Sequence, residues 1–191
     1  STFWLLYSRP GSLIPTNQLI IIPPKLKSKE THTRDPDISF RKGTTTFVDF
    51  REGGLDGVLL MQKVLSNTPI RSIILGRIEY YQSKDQIKRN IPIPQSYQNQ
   101  IDQLLKNCDG IGISGSNENS DSSLKQFSKI KKIRAIHCAE TKQSYLKSKQ
   151  TTRKTEPKRS MLLKPNFLVH MTYASKSDLS IASKKTRGIV V

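Results

Sequence analysis

Six short apolar runs alternating with helix-patterned segments constrain this chain more than any other feature. They occupy residues 44–50, 70–75, 110–113, 134–137, 167–170 and 188–191. Runs this short, rich in β-branched residues and bounded by Gly, Pro or Ser, read as buried strands. Between them, apolar residues recur at helical spacing: Leu55, Val58, Leu59 and Val64 in one segment, Ile101, Leu104 and Leu105 in another. Residues 124–132, 141–152 and 178–185 read as further helices. The rhythm repeats about every 25 to 35 residues, which is the βα unit of a parallel sheet. An open doubly wound sheet and a (β/α)8 barrel both satisfy it. No G-x-G-x-x-G follows the first run, which argues against a dinucleotide fold. The polar stretch 79–98, with Pro92 and Pro94, reads as a loop.

Residues 1–42 lack this order. Pro10, Pro15, Pro23, Pro24 and Pro36 punctuate them, and their one apolar run, 19–22, stops at two prolines. The expected division is therefore a poorly organised segment at 1–42 and an α/β domain at 43–191. The start at Ser1 and the stop in an apolar run at Val191 suggest an interior piece of a longer protein.

Charge narrows the function classes. The chain carries 32 Lys and Arg against 15 Asp and Glu, a net charge of +17. The excess is lopsided: residues 125–191 hold 17 bases and 3 acids. A solvated lysine-rich face explains this, and so does a surface for nucleic acid or another polyanion. Aromatic residues are sparse there, so stacking on single strands has little support. Cys108 and Cys138 are isolated, without the spacing of a disulfide framework or a thiolate zinc site. No apolar run reaches membrane-spanning length. A soluble protein of the cytoplasm, with no membrane partner and no nucleic-acid partner, is the expectation; self-association is left open.

Two of the apolar runs end on histidine, at His137 and His170. In a parallel sheet the carboxyl ends of the strands form the ligand face. Two histidines there, with Glu140 three residues after the first, suit a metal ion and a proton shuttle. Each histidine alone also reads as a hydrogen-bonded strand-end residue. His32, in a polar setting, reads as exposed.

The stretches Gly43-Thr44-Thr45-Thr46-Phe47-Val48-Asp49, Ile136-His137-Cys138-Ala139-Glu140-Thr141, Leu168-Val169-His170-Met171-Thr172-Tyr173 and Gly188-Ile189-Val190-Val191 fall in an order and spacing that resembles the amidohydrolase superfamily. The resemblance is to its cytosine deaminase, guanine deaminase and chlorohydrolase branch. It implies a metal-dependent (β/α)8 TIM-like barrel, with strands two to seven present. It implies a hydrolase of non-peptide carbon–nitrogen bonds that uses a divalent metal, zinc or iron, to activate water. His137 would then be a metal ligand and Glu140 the proton shuttle. His170 would hold the activated water or complete the metal shell. The substrate would be a small molecule with an sp² C–N bond, chosen by βα loops bearing Arg51, Glu52, Arg77 and Ser114.

The family's first-strand H-x-H pair has no counterpart here, because Thr16 and Gln18 stand in its place after Pro10-Gly11. Its eighth-strand aspartate would lie beyond Val191. A deaminase-like piece without activity of its own is thus the expectation. The alternative is a non-catalytic basic protein that binds nucleic acid or another polyanion.

Overall fold

A computed structural model describes residues 45–191 in full and, of the earlier residues, the backbone of Leu6–Ser8 and Leu19–Ile22. Those two short segments are β1 and β2. The strands that follow are β3 (Thr46–Arg51), β4 (Arg71–Gly76), β5 (Gly110–Ile113), β6 (Ile133–Cys138), β7 (Phe167–His170) and β8 (Gly188–Val190). Strands β3 to β8 are parallel neighbours in chain order. Each predicted run thus becomes a strand within two residues of its expected bounds.

The partial (β/α)8 barrel is corrected. The sheet is an open α/β sheet in the order β1-β8-β7-β6-β5-β4-β3-β2, with β2 parallel to β3 and β1 antiparallel to β8. Strands β3 to β8 curl into a half-barrel. Among the described residues no pairing joins β1 to β2, and closure of a small parallel barrel takes about eight staggered strands. Val58, Leu104, Leu124 and Ala182, from four helices, all pack on one face of the sheet, as successive right-handed crossovers in one direction would place them.

The helices are α1 (Gly54–Leu65), α2 (Lys84–Lys88), α3 (Gln98–Asn107), α4 (Asp121–Phe127), α5 (Lys142–Thr152), α6 (Glu156–Ser160) and α7 (Lys176–Lys185). Polar side chains start most of them. Ser83, Ser120, Thr141, Thr155 and Ser175 each accept a hydrogen bond from a backbone N–H of the first turn. Such caps satisfy donors that the helix itself leaves unpaired. The chain enters α1 through Gly53 and Gly54, both at positive φ, a conformation that a side chain would strain.

Alternate strand residues divide between two layers, as pleating requires. Ile74, Ile111, Ile136 and Leu168 pack with Val58, Leu104, Leu124 and Leu163. Val48, Phe50, Leu75, Ala135, Val169 and Val190 pack with one another on the opposite face. Burying each such side chain is worth about 1.5–3 kcal/mol before entropy.

The stretch 79–98 is not a simple loop. It contains α2 and a 3-10 turn at Gln95–Tyr97, and it is clamped onto both ends of α4. The Gln82 side chain accepts from the Ser120 N–H at 2.7 Å and donates to Ile91 O at 2.7 Å. Gln126 accepts from the Ile93 N–H at 2.8 Å. Ile87 and Ile93 are buried here, but they stand six residues apart among polar neighbours and set no helical or strand period in the sequence. No helix among the described residues is long and apolar enough to cross a membrane.

Candidate functional site

Strands β6 and β7 run parallel with Cys138 opposite His170 and His137 opposite Val169. The two histidines therefore reach the carboxyl edge of adjacent strands, offset by one residue. His137 Nδ1 lies 3.0 Å from His170 Nε2, and Glu140 Oε2 lies 3.5 Å from that same His170 nitrogen. His137, Glu140 and His170 each offer one donor atom, and these atoms lie within 4.8 Å of one another.

Backbone strain is concentrated around this trio. Ala139, His170 and Met171 all have φ in the left-handed region, at 49°, 77° and 60°. Non-glycine residues hold that conformation at a cost, and only where surrounding contacts enforce it. The enforcing contacts are visible. Met171 N–H donates to Cys138 O at 2.8 Å and Tyr173 N–H to Ala139 O at 2.9 Å. These bonds stitch the chain after β7 to the turn after β6, so the two histidines share one scaffold.

Electrostatics keeps both rings neutral. Burial lowers the His137 pKa to about 4, and the nearby Arg77 guanidinium, and His170 whenever it is protonated, act in the same direction. Burial likewise pushes His170 below its ordinary value, against the pull of the Glu140 carboxylate. Neutral imidazole is the form that binds metal. The Phe50 ring meets His137 edge-on, with ring centroids 4.6 Å apart, and steadies it from the open face of the sheet. Gly112 makes this contact feasible, because a Cβ there would come within 2.4 Å of the Phe50 ring.

These donors fit a divalent cation. Two nitrogens bound tetrahedrally to one zinc-sized ion lie roughly 3.3 Å apart, close to the observed separation. Three donors are one fewer than a closed structural zinc site uses.

The loop candidates separate into two groups. Arg77 donates to Glu52 at 2.7 Å and to Glu118 at 3.0 Å, and its guanidinium lies 5.2 Å from the centre of the Tyr81 ring. Arg77 and Ser114 line one small cavity at the carboxyl ends of β4 and β5, together with Tyr80, Tyr81 and Glu118. Arg51 turns the other way. It donates to Asp49 at 2.6 Å and to the Met61 sulfur of α1 at 3.6 Å, which ties β3 to its own helix. Thr16 and Gln18 lie outside the described residues, as does His32.

One residue that sequence reasoning passed over is Glu156, on α6. It is 3% exposed, and its Oε2 accepts hydrogen bonds from the Ala139 N–H at 3.0 Å and from the Ser144 hydroxyl at 2.8 Å. Burial raises its pKa, which those bonds and Arg159 oppose. A signal existed. The basic segment 125–191 has only three acids, Glu140, Glu156 and Asp178. Two of them, Glu156 and Asp178, are buried.

No protein-family model matches the chain. Among curated proteins it is 29% identical over 157 residues to one named "Putative aminohydrolase" from Methanothermobacter thermautotrophicus. It is 33% identical over 161 residues to an uncharacterised protein of Methanocaldococcus jannaschii. Each match covers 78% of this chain and 38% of the relative. The chain thus spans well under half the length of the curated proteins it resembles. They are distant homologues, and the name of one points toward a hydrolase relationship.

Proposed function

We propose that this chain carries part of the metal centre of a metal-dependent hydrolase acting on non-peptide C–N bonds in the manner of a deaminase. The convergence of His137, Glu140 and His170 at the strand carboxyl ends carries the reading, and the aminohydrolase name of one relative supports it. His137 and His170 would hold the ion. A divalent metal there, zinc or iron, supplies Lewis acidity and lowers the pKa of water toward about 7.

The Glu140 side chain is 59% exposed and lies beside His170. It is placed to accept a proton from water and pass it to nitrogen of a departing group. His170 Nε2 lies 3.5 Å from the same carboxylate. The Arg77, Tyr81 and Glu118 side chains would border the substrate.

Three donors form an incomplete shell, so zinc binding by this chain alone should be weak and turnover absent. Calorimetric titration with Zn2+ should give one weak site that His137→Ala abolishes. No detectable binding, or equal binding by His137→Ala, would count against the metal centre. Ammonia release from an aminated purine or pyrimidine by the 191-residue chain would show that the shell is complete.

The amino-end face of the sheet favours a second reading. Lys129, Lys131, Lys132, Lys164, Lys184, Lys185 and Arg187 are exposed there, and none forms an ion pair among the described residues. Lys132 already serves the fold, donating to Cys108 O at 2.7 Å beyond the end of α3. If these cations only solvate the surface, duplex DNA should bind weakly and lose affinity steeply with salt. Sequence-preferring binding that survives near-physiological salt in a gel-shift titration would favour a nucleic-acid-binding protein instead.

A further inference from the structure

The turn between β6 and α5 lies at the centre of the candidate site. His137 precedes it, Glu140 belongs to it, and its carbonyls at Cys138 and Ala139 receive the N–H groups of Met171 and Tyr173 beyond His170. Its middle residue, Ala139, holds a left-handed φ of 49°. A non-glycine residue holds that conformation only where surrounding contacts enforce it, and a hydrogen bond to its amide is one such contact.

The amide is fixed by neither histidine strand. Ala139 N–H donates to Glu156 Oε2 at 3.0 Å, and the Ser144 hydroxyl donates to the same oxygen at 2.8 Å. Ser144 is itself anchored, its N–H donating to Thr141 Oγ1 at 3.1 Å. A single buried carboxylate therefore joins the turn, the first turn of α5 and the start of α6. Thr155 caps α6 immediately before Glu156, and Pro157 follows in its first turn, so the carboxylate projects from a short, well-defined element.

We propose that Glu156 is the positioning residue of this site. By holding the 138–140 turn it makes His137 and Glu140 address the same point as His170. The inference rests on the metal-centre reading, and it assigns Glu156 no contact with metal or substrate. An acceptor oxygen at this position is what the role needs. Negative charge is secondary, because the carbonyl of Gln can accept from Ala139 while its amide faces the Ser144 oxygen.

The test compares Glu156→Ala and Glu156→Gln with the unaltered chain by amide hydrogen exchange at Ala139, by NMR contacts between the His137 and His170 rings, and by Zn2+ titration. Glu156→Ala should expose the Ala139 amide to exchange at least tenfold faster, break the ring-to-ring contacts and weaken zinc at least tenfold. Glu156→Gln should restore all three. A merely structural role predicts that Glu156→Ala lowers thermal stability while the ring contacts and zinc affinity of the folded fraction stay unchanged, and that result overturns the proposal. If the unaltered chain binds no zinc, the metal-centre reading fails, and the ring contacts alone decide the role of Glu156. If Glu156→Ala does not fold, Glu156→Asp takes its place, since its carboxylate falls one methylene short. Intact ring contacts in Glu156→Asp then refute the role, and lost ones support it.

Discussion

The unfolding free energy of the metal-free chain should fall by about 3 kcal/mol as pH drops from 6.5 to 4, through His137 alone. The sign follows from where the proton goes. Burial holds the folded imidazole near pKa 4, with help from His170 and Arg77, while the unfolded side chain keeps its ordinary value of 6.5. Between those values the unfolded chain binds the extra proton, so acid favours unfolding. His170 is depressed in the same direction and adds to the slope. Urea titrations at several pH values should show the loss, and His137→Gln should remove most of it. A wild-type curve that stays flat across this window would mean that His137 is solvated, contrary to its packing against Phe50 and His170.

Removal of the Arg159 guanidinium should cost about 3–5 kcal/mol, because it strands partners in a buried setting. Arg159 is 1% exposed, and its Nε donates to Asp121 Oδ1 at 2.8 Å. A second nitrogen donates to Asn119 O at 2.5 Å. Burial pushes the Asp121 carboxyl up, but hydrogen bonds and charge from Lys154 and Arg159 outweigh it and hold the group below its ordinary range. Arg159→Met keeps the volume and loses the donors, leaving Lys154 as the remaining ion-pair partner of Asp121 among the described residues. The double variant Arg159→Met, Asp121→Asn should be less destabilised than the single one, because the largely buried carboxylate is gone and the Lys154 ammonium left behind is half exposed and solvated. Denaturant unfolding of the single and double variants measures this coupling. A single-variant loss below about 1 kcal/mol would place the pair with ordinary surface ion pairs.

Much of this architecture was legible because burial writes itself into short β-branched runs. Gly110–Ile113 and Phe167–His170 coincide with their sequence predictions, since both strands are hydrophobic on two faces and end at polar turns. The 79–98 stretch was illegible for the opposite reason. Gln82, Ser120, Asn90 and Gln126 hold it through side-chain hydrogen bonds to backbone, which leave no periodic apolar trace. Arg51 was misdirected by a different ambiguity. It ends a strand at the expected edge, yet its side chain lies on the helix-facing side against Asp49 and Met61. A shift of one residue along a strand reverses the face.

The sequence by itself determined the strand and helix alternation, the parallel pairing of β3 to β8 and the delivery of His137 and His170 to one edge. Periodicity and strand-end position are local properties, and they survive without knowledge of contacts. Only the tertiary structure decided that the sheet stays open, because closure depends on whether its outermost strands pair. It also decided that His137 and His170 lie within 3.0 Å and that Glu156 reaches the Ala139 amide from 17 residues away. Those contacts arise from register across β6 and β7 and from the path of α6 beneath the turn, and neither is encoded in a local pattern.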